Sequence, residues 1–338
     1  MKRKIKLHLN EKGSLSITAL WMMALLSLIS AGMMRHALHG LRWDNDRLQA
    51  VKAAWLARAG IQHAIAVLKA DAIKDSLQSY DAFDENWANR PELFKKVSFV
   101  GGHFEITYET VELSDGPHQV YGIYDENRKI NINRVSKEIL ARLPGMSADK
   151  LAALLDWRDE DDEPEPGGAE SDYYLNHRRR YTCKNADIDF LQELKMVKGF
   201  TDEDIHRLSG LVTVYGDGGV NLNTTSIKIL QTLGLKSELA KKICKLRWGS
   251  DFTPFTEDDV IFKKETDILQ KLMKHLKLTP AEQVQINRLV SEQLIGVTST
   301  HFTVYSLGKT SNGQAQKLIA ATVNRISATE LEIVAWSE

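Results

Sequence analysis

The sequence predicts an α+β protein in which a helical block is inserted into one sheet. Three observations point there. Residues 14 to 70 hold no proline, and apolar residues recur along their second half at helical spacing. Apolar and polar residues alternate near residue 100 and again after residue 300, as half-buried strands do. Between those strands, residues 130 to about 295 read almost wholly helical with short loops. Strands that flank a helical block suggest a single sheet interrupted by it.

The chain has 338 residues, of which 43% are hydrophobic and 26% charged, enough for two or three domains with a real core. Its net charge is −1, so no global field drives it onto nucleic acid or a membrane surface. The charge is unevenly placed. Lys2, Arg3, Lys4, Lys6 and Lys12 stand against Glu11 in the first thirteen residues. Residues 14 to 34 then carry no charge at all, and about 20 helical residues span a bilayer core. The basic flank predicts a cytoplasmic N-terminus with the rest of the chain across the membrane. Three readings compete: a cleaved secretory signal, a plain anchor, and a prepilin-like signal whose short basic leader ends in Gly before a retained helix. Lys12-Gly13 directly before Ser14 fits the third best.

Past the apolar run, Ala54, Ala57, Ile61, Ile65 and Leu68 continue at helical spacing, so the helix needs a packing surface. Val97 and Phe99 alternate, Gly101-Gly102 turns, and Phe104, Ile106 and Tyr108 alternate again. Asp115-Gly116-Pro117 marks another turn, with a strand expected from Val120 to Tyr124. At the far end Phe302, Val304 and Ser306 alternate, Ser311-Asn312-Gly313 turns, Ala315 to Val323 returns, and Glu332 to Trp336 adds a last strand.

The helical block carries a weak internal repeat at an offset of 90. Asn131 and Asn133 align with Asn221 and Asn223, Ser136 with Ser226, Ile139-Leu140 with Ile229-Leu230, and Leu143 with Leu233. Each copy reads as an asparagine turn, a capped helix, a tight glycine turn and a second helix: a helix-hairpin-helix shape. Its asparagines are expected to cap helices or hold turns.

The chemistry concentrates in DWRDEDDEPEPGGAESDYY, residues 156 to 174. Nine carboxylates there face only Arg158, a formal charge of −8. Such a run is either solvated or neutralised. Asp156, Asp159, Asp161 and Asp162 lack alternating lysines, and Pro164, Pro166, Gly167 and Gly168 turn the chain so that Glu170 and Asp172 fold back. That favours calcium, a hard cation taking six to eight oxygens, although the spacing is not that of an EF-hand. The carboxylate surplus accommodates two ions. Tyr173 and Tyr174 would pack the loop on its domain, and Arg178, Arg179 and Arg180 would answer its charge. No nucleophile motif or phosphate-cradling loop accompanies these acids, and His63, His177, His206 and His275 have no liganding spacing, so no enzyme is expected. Cys183 and Cys244 would either pair, in an oxidising compartment, or stay as two separate buried thiols.

Several of these segments together resemble the general secretion pathway protein K family, the large minor pseudopilin of type II secretion. They are the Gly13 leader boundary, YDENRKININ at 124 to 133, the acidic Pro-Gly-Gly segment, CKNADIDFLQEL at 183 to 194 and VNLNTTS at 220 to 226. The resemblance covers nearly the whole chain. It implies a pseudopilin fold, a long N-terminal helix on an antiparallel sheet, with a large inserted all-α domain of two SAM-like parts. It implies insertion in the inner membrane with the bulk of the chain periplasmic, and cleavage between Gly13 and Ser14 by a prepilin peptidase. It also implies calcium at the acidic loop, with Asp159, Asp161, Asp162, Glu170 and Asp172 as expected ligands. The implied partners are minor pseudopilins I and J and the rest of the pseudopilus, whose assembly the tip complex helps initiate.

On this resemblance the chain divides into a leader (1–13), a transmembrane part (14–34), a periplasmic helix with the first strands (35–128), a first SAM-like subdomain with the acidic loop (129–218), a second (219–297) and closing strands (298–338). Thr18 takes the fifth mature position, where most pilin-like proteins carry glutamate. The family shares that absence, which suits a subunit that none precedes. Ser14 is smaller than the usual first residue, and Glu165 adds a charge where neutral or basic residues are common. The competing reading is a membrane-anchored helix-hairpin-helix protein holding nucleic-acid phosphates, with Leu143-Pro144-Gly145 as hairpin. Ser147 in place of a second glycine and the adjacent acids oppose it, so no nucleic acid is expected. A membrane-tethered hydrolase using the acids is the third class.

Overall fold

The computed structural model describes residues 12–74, 80–110, 118–176 and 180–338. The leader before Lys12, the Asp115-Gly116-Pro117 turn, His177, Arg178 and Arg179 lie outside them. A single helix runs from Lys12 to Lys74. At 1.5 Å per residue it is about 95 Å long. Every described side chain from Leu15 to Leu48 is exposed, and this half is long and apolar enough to cross a bilayer. Thr18 satisfies its own hydroxyl there by donating to the Leu15 carbonyl at 2.9 Å.

The second half of the helix lies on an antiparallel sheet. The strand order is Val97–Phe99, Gly102–Ile106, His301–Thr310, Gln316–Arg325, Leu331–Ser337, with Tyr124–Asp125 also paired to His301–Thr310. The buried stripe of the helix is Ala53, Leu56, Ala57, Gly60, Ile61, Ala64 and Leu68. Ala54 and Ile65, expected in that stripe, flank it half-buried. The sheet meets the side carrying the smallest residues, where the backbones come close. A Cβ on Gly308 would stand 2.2 Å from the Ala53 carbonyl oxygen, and one on Gly60 2.1 Å from Ser306 Oγ. Phe302, Val304, Ile319, Ala321 and Val323 complete this core with Trp87 and Phe94.

The strand expected from Val120 to Tyr124 is divided. His118–Val120 pairs with Tyr108–Thr110, Tyr124–Asp125 joins the main sheet, and Gly122 between them packs against the backbone of Ala88, 1.9 Å from where a Cβ would sit. The closing hairpin agrees with the expectation: Phe302 opposes Val323, Val304 opposes Ala321 and Ser306 opposes Ile319 around the 311–313 turn.

The block between Tyr124–Asp125 and His301–Thr310 has its own core, built on Trp157, Tyr174, Leu230 and Phe262 among others. It is less helical than the sequence suggests. Its longer helices are Ala148–Arg158, Ser237–Arg247, Ile268–His275 and Pro280–Ser291, joined by irregular chain. Two-residue parallel pairs close its halves, Ile130–Asn131 with Val212–Thr213 and Val220–Asn221 with Ile295–Gly296.

The repeat is visible atom by atom. Asn131 Oδ1 accepts from Asn133 N at 2.8 Å, and Asn221 Oδ1 from Asn223 N at 2.9 Å. Asn133 then bonds both the N–H and the carbonyl of Ile188, as Asn223 does those of Phe262. These asparagines hold turns and replace strand pairing by side-chain amides. After the hairpin the offset falls from 90 to 89, because the second turn is one residue shorter. Arg158 thus matches Arg247. Arg158 donates to the carbonyls of Ile132 and Asn133, and Arg247 to those of Leu222 and Thr225.

Candidate metal centre

The acidic loop is shaped by residues that do not hold an ion. Asp156, in the last turn of Ala148–Arg158, is fully buried. Its carboxylate accepts from Glu165 N at 3.0 Å and Ala169 N at 2.6 Å, which clamps the Pro-Gly-Gly turn. A Cβ on Gly168 would stand 1.9 Å from that carboxylate, and Gly167 takes φ +89°, so both glycines are required. Lys198 Nζ secures the turn from outside by donating to the Gly167 and Gly168 carbonyls at 3.1 and 2.8 Å.

Beneath the loop, Tyr174 meets Trp157 edge-on at 5.1 Å and stacks on Tyr181 at 5.2 Å. Trp157 Nε1 donates to Glu193 at 2.8 Å, and Lys184 answers Glu193 at 2.9 Å. Of the tyrosine pair expected to pack the loop, Tyr174 is buried, while Tyr173 is 38% exposed under the Lys198 ammonium.

On this base Asp159, Asp161 and Glu170 each offer a carboxylate oxygen, all within 4.8 Å of one another. Asp159 ends the helix in an extended conformation, and Glu170 precedes the short helix Ser171–Leu175. Glu170 is 4% exposed, and only the weakly donating Cys183 thiol stands beside its oxygens, which otherwise lack a hydrogen-bond partner. Asp159 Oδ1 is likewise buried and unpartnered. Burial first, then the charges of Asp161 and Asp156, push the Asp159 carboxyl up; burial pushes Glu170 up. Buried carboxylates without donors are costly, and a divalent cation reverses that cost. Hard oxygens from three acids suit calcium rather than a soft metal.

Two other expected ligands stand outside this group. Asp162 Oδ1 accepts from Asn185 Nδ2 at 3.2 Å, and Asp172 is exposed in the first turn of its helix. Among the described residues the loop's ion pair comes from Lys137 to Glu165, at 3.3 Å, while Arg178 and Arg179 of the expected arginine cluster lie outside them. Arg158, its only internal cation, turns away to the Asn-turn carbonyls. Sequence reasoning missed Asn185, Lys184 and Glu193 because nothing in local spacing ties residues 184 to 193 to the loop. Their motif, CKNADIDFLQEL, was the sole signal.

The disulfide alternative is corrected. Cys183 and Cys244 are both free and buried. Cys183 Sγ faces the Asp156 carbonyl at 3.4 Å beside the acidic loop, whereas Cys244 lies on the buried face of Ser237–Arg247 in the other half. Burial pushes the Cys183 thiol up to about 12, so it is held as an unreactive SH group. The hairpin of the nucleic-acid reading is also occupied. Arg207 lies where a Gly145 Cβ would sit, Lys150 donates to the Gly145 carbonyl, and Ser147 caps Ala148–Arg158 through Lys150 N.

Known proteins resemble this chain. Residues 127–217 match the family described as type II secretion system protein K, first domain. The type II secretion system protein K of Pseudomonas aeruginosa is 27% identical over 235 residues, 66% of this chain and 68% of that protein. The chain is thus similar to type II secretion system protein K, over residues 127–217 by the family match and over 66% of its length by this relative. The protein K of Klebsiella pneumoniae is 22% identical over 239 residues, 64% of this chain and 67% of its own length. Among solved structures, a chain of the GspK-GspI-GspJ complex from the enterotoxigenic Escherichia coli type 2 secretion system superposes with a TM-score of 0.65. The match covers 88% of this chain and 98% of that one at 14% identity. The long helix on an antiparallel sheet is therefore the fold of a protein K complex chain, and the family segment 127–217 is the half that carries the acidic loop.

Proposed function

We propose that this chain is a minor pseudopilin of the type II secretion system, a structural subunit at the pseudopilus tip that helps initiate its assembly. The observation that carries this is the helix Lys12–Lys74, bare and apolar over its first half and packed on a sheet over its second. A bilayer covers the first half before assembly, and neighbouring subunits cover it afterwards. The chain crosses the inner membrane once, with its N-terminus cytoplasmic, and a prepilin peptidase cuts between Gly13 and Ser14. Its partners are minor pseudopilins I and J, as in the complex it resembles, and its role is assembly rather than catalysis. The inserted block is two SAM-like halves, supported by the paired asparagine turns and the Arg158/Arg247 match. Co-expressed with minor pseudopilins I and J and a prepilin peptidase, the full chain should co-purify with both in detergent, its mass beginning at Ser14. A chain that elutes alone from such membranes would overturn the assignment.

The loop is proposed to hold calcium through Asp159, Asp161 and Glu170. Bound there, the ion neutralises the acids and fixes the loop against the helix end. Calcium at 100 times its Kd would stabilise the folded chain by about 2.7 kcal/mol. The Tm should rise by roughly 5 °C or more, given about 2–4 °C per kcal/mol for domains of this size. Differential scanning calorimetry with and without a chelator reads it, and an unchanged Tm at millimolar calcium counts against the site. Calorimetric titration also counts the ions: the carboxylate surplus calls for two, and the grouped acids account for one.

A further inference from the structure

We infer that the second half of the inserted block carries a docking pocket for an acidic segment of another protein, one that sets an aromatic or aliphatic side chain beside its carboxylates. The pocket belongs to the half without the acidic loop. It opens where the end of Ser237–Arg247, the loop 249–260 and Leu276 meet, with a volume of about 470 Å³. Leu246, Phe252, Val260 and Leu276 supply its apolar wall, and Lys242 and Lys245 its charge. Neither lysine pairs with an acid among the described residues, whereas Lys241 beside them pairs with Glu238 at 3.3 Å. Asp258 also lines the pocket, but its carboxylate is filled by donations from Ser250 N and Oγ, both at 2.6 Å, and from Thr256 Oγ1 at 2.8 Å.

The loop is built to present Phe252. Its ring is 59% exposed, and the residue takes φ +56°, a left-handed conformation that a bulky side chain seldom adopts. Such strain persists only where surrounding contacts enforce it, and it gathers at ligand clamps. Here the Asp258 carboxylate holds Ser250, Asp251 Oδ1 accepts from Thr253 N at 2.8 Å, and Asp259 Oδ2 accepts from Phe255 N at 2.9 Å. Phe255 anchors the far end of the loop, its ring 4.3 Å from that of Phe83 in the sheet core. The Lys245 ammonium stands 5.9 Å from the Phe252 ring. A partner's apolar side chain packs against that ring and the pocket wall, and its carboxylates meet the two lysines. The charge of this half agrees. Residues 219 to 297 hold twelve Lys and Arg against nine Asp and Glu, while residues 129 to 218 hold thirteen against eighteen, so an acidic segment is drawn to this half and repelled by the other.

The test is fluorescence anisotropy of a fluorescein-labelled peptide, Glu-Asp-Phe-Asp-Glu, titrated with the full chain in detergent. Wild type should bind it saturably. The Kd should rise at least about fivefold when Lys242→Ala and Lys245→Ala are combined. Phe252→Gly removes the ring, suits the left-handed φ, and should weaken binding at least about fivefold as well. Lys228→Ala with Lys264→Ala removes the same charge from exposed positions outside the pocket, and should stay within about twofold of wild type. The peptide Glu-Asp-Ala-Asp-Glu, which needs no variant to fold, should bind wild type at least about fivefold more weakly than the phenylalanine peptide. No saturable binding to wild type would overturn the assignment. So would an equal loss in both lysine pairs, or equal binding of the alanine peptide. Displacement of the peptide by an equal concentration of inorganic phosphate would mark a simple anion site and overturn it too.

Discussion

Gly308→Val should unfold the sheet half of the protein, at a cost of at least about 3 kcal/mol. The added Cβ would lie 2.2 Å from the Ala53 carbonyl oxygen and 2.5 Å from Ala57 N. Both atoms belong to helix backbone, which cannot move aside as a flexible side chain does. The Cβ of Leu56 stands 2.9 Å away on the same side. The helix would have to lift from His301–Thr310, and Ala57, Ile61 and Ala64 would lose the surface that buries them. Hydrophobic burial contributes roughly 25 cal/mol per Å², so even a partial gap along four turns is expensive. Gly40, with nothing within 4 Å of its Cβ position, is the control: Gly40→Ala should leave stability unchanged or raise it slightly. Urea unfolding followed by far-UV circular dichroism measures both. A Gly308→Val chain within about 1 kcal/mol of wild type would mean that helix and strand are not in contact at this seam.

What the sequence disclosed and what it hid follow one physical divide. Period-two alternation is local, so Val97 and Phe99, and Phe302, Val304 and Ser306, appear as strands in the sequence and are strands in the structure. Turn chemistry is local too, and Gly101 takes φ +87° where a turn was expected. The helical block reads as too helical because its order comes from asparagine side chains bonded to distant backbone, such as Asn133 to Ile188, and no periodicity records that. A one-residue deletion in the second hairpin concealed the match of Arg158 with Arg247. The grouping of Asp159 with Asp161 was legible because they are neighbours, and the return of Glu170 because prolines and glycines announce a turn. The role of Asp156 was not, since its partners are backbone amides brought to it by folding.

The junction between block and sheet supplies the second large effect. YDENRKININ starts on the strand Tyr124–Asp125, by which the chain leaves the sheet, and its acids work as an adhesive rather than as ligands. Asp125 is buried and accepts from Asn127 N at 2.8 Å, Thr224 Oγ1 at 2.5 Å, Ser299 Oγ at 2.8 Å and Asn221 Nδ2 at 3.4 Å. Thr224 and Asn221 come from the helical block, Ser299 from the chain re-entering the sheet. Asp125→Ala leaves those donors buried without an acceptor, at about 1–3 kcal/mol for each one not rescued by water. A total of roughly 3–5 kcal/mol is expected, as for other broken buried networks.

Asp125 also carries a pH signature. Burial pushes its carboxyl up to about 7, against hydrogen bonds from Thr224 and Ser299 that pull it down. A carboxyl raised in the folded state favours folding while protonated. Its contribution is therefore complete below the unfolded value near 3.8 and fades as pH rises through about 7. Asp125→Asn keeps the shape and removes the proton. The stability difference between Asp125→Asn and wild type should thus shift in favour of the variant between pH 4 and pH 7. Chemical denaturation at several pH values reads this difference directly, free of every other titrating group that the two chains share. A difference that stays flat across that interval would mean that Asp125 is ionised in the folded chain throughout, with its four donors sufficient to hold the charge.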